Sequence, residues 1–396
     1  MAIQHRAHET GIDADGGAGD VKLLEAQHVP GLDIRENKMK TRELGIAVVG
    51  SGRIGSLRAK MAAAHPAVKF LAVSDLDAGR AGRLAESTGA DLSSGDNEEV
   101  ISHPQVNAVI VSTSEHEHLK PVMRALELGK PVLVEKPIAL TLADADLIIA
   151  RAEATGTPLR VGYAQRFKRR YLSAKDQIVE GRLGEITALT GRACNTRAQG
   201  IEILKRSVNA TPVVDVLTYW VDVAGWFLEG IRPREVTARG HGTVFREAGF
   251  DVNDATFALI TYENGAVVNL GVYFALPAHA PQLGMGVRIE VFGSEGALIL
   301  NDDHTDELLI TNKGIPHAYI PGLQFQTAFL SSSTPGNWHL GDYWGPVADE
   351  SRVWLDHLSR NRPCPMATAR EARQTLEITL AIEESARTGQ TIRLAG

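Results

Sequence analysis

Between Leu44 and about Gln165, short runs of β-branched and other apolar residues alternate with stretches whose apolar residues recur at helical intervals. The runs Gly45–Val49, Phe70–Ser74, Ala108–Val111, Val132–Val134 and Leu159–Tyr163 are almost continuously apolar, the pattern of strands covered by helices on both faces. Arg53–Ala64, Gly79–Thr88, Leu119–Leu128 and Leu142–Ala154 carry the helical spacing. Gly89, Gly129 and Gly156 stand where these helices should stop, because glycine takes the left-handed C-terminal cap without strain. The alternation predicts βαβ units in one doubly wound parallel sheet over residues 44–165.

After Arg166 the period changes. A helix to about Val179, a strand near Glu185–Ala193 and an apolar helix from Pro212 to Leu228 are followed, from Arg234 to about Ile310, by several strand-like runs. Pro212 suits a helix start, where its missing N–H costs no hydrogen bond. Turn signals such as Glu263-Asn264-Gly265 and Gly293-Ser294-Glu295-Gly296 point to a mostly antiparallel sheet. A loop rich in Gly, Pro, Ser and aromatic residues is expected over about Lys313–Pro346, then two closing helices, Val347–Ser359 and Thr368–Thr388. The fold class is therefore α/β, with a second, α+β domain over residues 166–396. Residues 1–43, rich in Gly, Asp, His and Glu and without periodicity, read as a flexible arm.

A chain of 396 residues that is 44% hydrophobic can bury the cores of two such domains. Its net charge of −7 argues against a nucleic-acid partner, which is held mainly by neutralising phosphates. The basic cluster Arg166, Lys168, Arg169, Arg170 is too short to overturn this and reads as a solvated helix start. Cys194 and Cys364 are the only cysteines, too few and too far apart for a disulfide framework or a metal site, and they fit a reducing cytoplasm. The long uncharged stretch Gly265 to Val287 contains Asn269, Pro277, His279, Pro281 and Gln282, which rules out a membrane span. No leader or lipidation motif is visible. A small-molecule substrate is the expected partner.

The candidate chemistry begins at Gly50-Ser51-Gly52-Arg53-Ile54-Gly55, which follows an apolar strand and opens a helix. In that context the spacing Gly-x-Gly-x-x-Gly is a dinucleotide cradle: the first glycine takes the tight turn, the second admits a pyrophosphate, and the third packs helix on strand. The helix N-terminus adds partial positive charge. Gly50, Gly52, Arg53 and Ile54 are thus candidate cofactor contacts in a Rossmann-type domain. Asp75 closes the next strand, where a carboxylate accepts ribose hydroxyls and repels a 2′-phosphate, so NAD is expected and NADP is the alternative. Ligands in such sheets lie beyond the carboxyl ends of the strands. There stand Ser112-Thr113-Ser114-Glu115-His116-Glu117-His118 and Glu135-Lys136-Pro137, which makes Thr113, Ser114, His118, Glu135 and Lys136 further cofactor candidates. A surface loop or helix cap remains open for His116 and His118. His-x-His has no third ligand at a convincing spacing, so no metal is expected.

These residues resemble the Gfo/Idh/MocA family, over about Leu44 to Leu394. The resemblance rests on the glycine turn, Thr113…His118, Leu126-x-x-Gly129-Lys130…Glu135-Lys136-Pro137, Val161-Gly162-Tyr163…Arg166-Phe167 and Ala386-x-x-Gly389. It implies a Rossmann domain followed by an open, mainly antiparallel sheet often used in oligomer contacts, hence a homo-oligomer, dimer or tetramer. It also implies that Lys136 touches both nicotinamide and substrate. Two departures stand out. Many members have glycines, an Asp, then a His four residues on; here Thr211-Pro212-Val213-Val214 precede Asp215, and Tyr219 holds the histidine's place. That tyrosine is similar to glucose–fructose oxidoreductase and dimeric dihydrodiol dehydrogenase, and less like inositol dehydrogenases. Ala164 stands where many members have Asn, so Gln165 or Arg166 is expected to take over its contact with the nicotinamide.

Oxidising a secondary alcohol requires hydride transfer with a positioned group to take the hydroxyl proton; reduction needs the same group as an acid. Asp215 and Tyr219 are four apart on an expected helix and share a face. As a base, Tyr219 would need its pKa lowered by an ammonium such as Lys136, with Asp215 orienting the pair. A core aromatic is the other reading of Tyr219, and a structural partnership the other reading of Asp215. Arg166, Trp338 and His339 are candidates to border the substrate, an oligomer contact being the other reading for the last two. The expected activity is an NAD-dependent dehydrogenase of a cyclic polyol, sugar or dihydrodiol. An enzyme that never releases its cofactor, as in glucose–fructose oxidoreductase, and a nucleotide-binding sensor without turnover remain rivals.

Overall fold

Leu44–Val49 is buried at every position because it lies mid-sheet with helices on both sides. The computed structural model describes residues 41–207, 209–277, 286–301, 306–316, 322, 324–332, 337–339 and 342–394; the arm expected at residues 1–43 lies outside them up to residue 40. Among the described residues the first sheet has the strand order Ala367–Thr368, Leu159–Gly162, Val132–Glu135, Ala108–Val111, Leu44–Val49, Val68–Ser74, Leu92–Ser94. Its strands pair in parallel except Ala367–Thr368, which runs antiparallel to Leu159–Gly162. Winding reverses between Leu44–Val49 and Ala108–Val111, so the turns that follow these strands flank the switch point where such folds bind ligands. The expected Rossmann sheet is present. Leu92–Ser94 and the helix Asn97–Ser102 went unread because a three-residue strand with one apolar side chain carries no period.

The second sheet is mainly antiparallel, as expected, with the order Gln324–Ser332, Asp306–Pro316, Gly296–Asn301, Gly286–Gly293, Ile186–Thr196, Val267–Leu276, Ala255–Tyr262, Pro233–His241, Ile392–Arg393. The pair Ile186–Thr196 and Val267–Leu276 is parallel. Two of these strands, and the short pair Asn337–His339 and Asp342–Trp344, occupy much of the stretch 313–346 that the composition assigns to a loop. Backbone pairing of Asp306–Pro316 with Gln324–Ser332 extends the sheet into that stretch, where glycine and proline mask the alternation. A helix Arg197–Arg206, capped by Thr196, is a further addition.

The last helix, Ala369–Thr388, opens on a capping box between Thr368 and Glu371 and closes on left-handed Gly389. It serves both cores: Ala372 and Leu376 pack with Val134 and Val161 of the first sheet, while Ile378 and Ile382 pack with Trp220, Ile260 and Val268 under the second. Pro346–Arg360 covers the other face of the first sheet through Trp354 and Leu355. The last two long helices thus flank the first sheet on both faces.

Candidate active site

Each glycine of the turn has a separate steric reason. Gly50 sits at φ +95°, and a Cβ there would lie 2.6 Å from the Ser112 carbonyl oxygen. At Gly55 a Cβ would lie 1.8 Å from the Gly50 carbonyl oxygen, whereas at Gly52 it would meet nothing within 4 Å. Gly52 is also the N-cap of Arg53–Ala64, which has no side-chain cap and no acidic residue in its first turn. The first amides are left to an anion. Asp75 is clamped by the Ser51 N–H at 2.8 Å and the Asp77 N–H at 3.0 Å, with Arg80 Nη1 at 3.4 Å.

Across the switch point, the Ser112 and Thr113 hydroxyls and the Gln165 amide oxygen are buried without a hydrogen-bond partner among the described residues. Buried polar groups rarely stay unsatisfied, and together with the open side of Gly52 this donor set fits a dinucleotide. Gly52, Asp75, Thr113 and Gln165 would hold it. His118 has a different surrounding: it is buried, with Nδ1 2.9 Å from the Pro137 carbonyl oxygen and Nε2 3.4 Å from that of Thr113. Burial lowers its pKa, so the neutral ring donates from Nδ1 and staples the two turns together. It braces the turns where a cofactor contact is expected from the sequence.

Lys136 leaves the end of Val132–Glu135 and is followed by cis Pro137. Its ammonium donates to the Asp215 carbonyl oxygen at 2.8 Å, lies 3.5 Å from Asp215 Oδ1, and sits 4.9 Å from the centre of the Tyr219 ring. The three residues expected to do proton chemistry therefore meet. Their helix is not regular: Val213–Leu217 is a π turn and only Thr218–Phe227 is α-helical. Such widened turns are rare and cluster at functional sites. Tyr219 stands edge-on to Tyr163, with ring centroids 6.1 Å apart. Burial, with the carboxylates of Glu135, Asp215 and Glu350, pushes its phenol well above the usual tyrosine range. A base at this position would need the opposite shift, and burial outweighs what the neighbouring cations supply. Its phenol therefore keeps its proton at neutral pH.

Arg166 also needs correction. The expectation places it at the substrate; in the structure it is 2% exposed, bonded to Asp222 through Nε at 2.8 Å and Nη2 at 2.7 Å, and to Glu371 through Nη1 at 3.0 Å. Its guanidinium lies 5.1 Å from the Trp226 ring centre. It ties the turn after the first sheet to two helices of the second half. Trp338 and His339 lie on a described strand, but their side chains lie outside the described residues. Sequence reasoning missed Arg58 and Glu350. Arg58 Nε donates to Glu135 Oε1 at 2.8 Å and Nη2 pairs with Glu350 Oε2. The only sequence signal was a charged residue on the buried side of an otherwise small-residue helix face, Gly55, Ala59 and Ala62.

Comparison with known proteins agrees with the fold. Residues 44–163 match an oxidoreductase family's NAD-binding Rossmann fold, and residues 171–299 match the GFO/IDH/MocA C-terminal domain. A scyllo-inositol 2-dehydrogenase (NAD(+)) of Bacillus subtilis is 28% identical over 358 residues, spanning 88% of this chain and 95% of that protein. Inositol 2-dehydrogenase 2 of Saccharopolyspora erythraea is 32% identical over 271 residues, 66% of this chain and 74% of its own. The structure of scyllo-inositol dehydrogenase from Lactobacillus casei with NAD(H) and scyllo-inositol has a TM-score of 0.70 at 20% identity, covering 90% of this chain and 100% of that one; it shares the fold.

Proposed function

The chain belongs to the Gfo/Idh/MocA family of NAD-binding oxidoreductases, acting on CH–OH groups, and from that premise we propose that it interconverts a secondary alcohol and ketone of a cyclic polyol or sugar. The observation that carries the reading is the meeting of Lys136, Asp215 and Tyr219 at the carboxyl end of the first sheet. The names of the similar dehydrogenases support a cyclic polyol.

Bound nicotinamide supplies the hydride acceptor or donor. In reduction, the Lys136 ammonium gives its proton to the substrate oxygen while the Tyr219 hydroxyl donates a hydrogen bond to the same atom. In oxidation, Lys136 must first release its own proton to solvent and then takes the hydroxyl proton, and the Asp215 carboxylate at 3.5 Å holds the ammonium that results. Thr113, Gln165 and the glycine turn orient the nucleotide, and Asp75 receives the ribose hydroxyls.

The test is turnover against a panel of polyols and sugars, with NAD affinity measured by calorimetry. Tyr219→Phe is expected to lose about 10²–10³ in kcat and Lys136→Ala about 10²–10⁴, with NAD binding little changed. Near-normal turnover in both variants would sink the assignment.

A second copy of the chain is the natural partner for the open face of the second sheet. Phe257, Leu259, Val267, Tyr273 and Phe292 stand exposed there on paired strands, opposite the face that the helices cover. Exposed apolar residues gathered on one sheet face favour an interface. Two free cysteines suit a cytoplasmic setting, and no helix among the described residues is long and apolar enough to cross a membrane.

A further inference from the structure

Arg58 is wholly buried and shared by two carboxylates. Nε donates to Glu135 Oε1 at 2.8 Å, Nη2 pairs with Glu350 Oε2, and Nη1 donates to Ser351 Oγ at 2.9 Å and the Val347 carbonyl at 3.3 Å. Glu350 is 0% exposed, and its Oε1 has no hydrogen-bond partner among the described residues. Two ionised carboxylates on one buried guanidinium leave an uncompensated charge, which is costly on the fully buried Glu350; one retained proton removes it. Glu135 immediately precedes Lys136, so whatever holds Glu135 also sets where the lysine starts. Gly162 keeps the space clear: a Cβ there would stand 3.0 Å from both Arg58 Nη2 and Glu135 Oε2.

We propose that Glu350 is the positioning residue for Lys136 and holds a proton within the site: its protonation decides how Arg58 is divided between Glu350 and Glu135, and through Glu135 it sets the reach of the adjacent lysine. This rests on Lys136 being the catalytic group. The surroundings favour such a proton. Besides Arg58 and Glu135, Asp222 acts on Glu350 from the neighbouring helix, where Arg166 partly neutralises it. Glu350 in turn acts on the neutral phenol of Tyr219. Tyr343, on the strand Asp342–Trp344, is also kept neutral by burial. On the helix of Glu350 itself, Asp349 and Arg352 pair with each other at the surface. Burial is the main cause, opposed by Arg58 and helped by Glu135, and the Glu350 carboxyl is pushed up to about 7.

The test uses the full chain without nucleotide. Infrared difference spectra should show a protonated-carboxyl band that titrates near neutrality in wild type and in Lys136→Ala, and is gone in Glu350→Gln. The nuclear magnetic resonance signal of the Lys136 ammonium should shift with the same midpoint and lose that step in Glu350→Gln. With NAD and substrate, Glu350→Ala should lose on the order of a hundredfold in kcat, with Glu350→Gln restoring most of it but lacking the neutral ionisation in its pH profile. A band that survives in Glu350→Gln, or a Lys136 step that persists there, overturns the assignment. A fully active Lys136→Ala would instead overturn the catalytic reading, leaving the band and the lysine signal to decide the role of Glu350.

Discussion

Asp222→Ala isolates the difference between a substrate-binding and a structural Arg166. In the native protein the Arg166 guanidinium makes two bonds to Asp222, at 2.8 and 2.7 Å, and one to the more exposed Glu371 at 3.0 Å. The substitution removes two charge-assisted bonds, each worth about 1.5–3 kcal/mol, and leaves a buried guanidinium with one partner. Breaking one side of a buried pair costs about 3–5 kcal/mol, so the larger figure of the simple sum is cut by relaxation toward Glu371. At about 2 °C per kcal/mol for a chain larger than 150–250 residues, the melting temperature should fall by about 5–10 °C. Replacing both residues, Arg166→Met with Asp222→Leu, should recover much of the loss, because the apolar pair needs no compensation. Thermal denaturation of the two single variants and the double variant supplies the cycle. If Asp222→Ala melts within about 1 °C of wild type while Arg166→Met raises only the substrate KM, the structural role is refuted and the substrate role returns.

Two glycines of the nucleotide turn should part company under the same substitution. Gly55→Ala drives a Cβ into the Gly50 carbonyl and should cost about 3 kcal/mol or more along with NAD binding. Gly52→Ala, with open space at its Cβ and φ −73°, should melt like wild type yet bind NAD at least about tenfold more weakly; unchanged affinity in calorimetry would contradict the approach of a pyrophosphate there. Stability against pH should report Glu350. Its folded-state pKa is raised from 4.5 to about 7, so its contribution is complete below 4.5 and is lost as pH rises through 7. Relative to Glu350→Gln, wild type should lose up to about 3 kcal/mol across that window. A constant difference in urea denaturation would count against a buried proton.

The nucleotide half was legible because its signals are local. A continuous apolar run, three glycines at fixed spacing and Asp75 at the next strand end are each consequences of what a few neighbouring residues can do, so they read without knowledge of the rest. Lys136 was legible for the same reason, as the residue at a strand end beside that cradle. The second half was read less well. Gln324–Ser332 and the end of Asp306–Pro316 fall in a stretch whose composition looks like a loop, and they are strands chiefly through pairing with each other. The π turn at Val213–Leu217 left no mark beyond Pro212 and a crowd of valines.

The amino-acid order by itself determined the parallel sheet, the glycine turn that opens its first helix and the lysine at the end of a further strand, since those follow from periodicity, glycine stereochemistry and strand ends. Tertiary structure alone decided what the charged groups do. Arg58 and Glu350 are 292 positions apart, and Arg166 meets Glu371 across 205; no spacing rule links them. His118 is a brace, Arg166 a knot and Tyr219 a neutral phenol because burial raises the free energy of an unpaired charge, and which charges are buried together is settled only when residues far apart in the chain pack against one another.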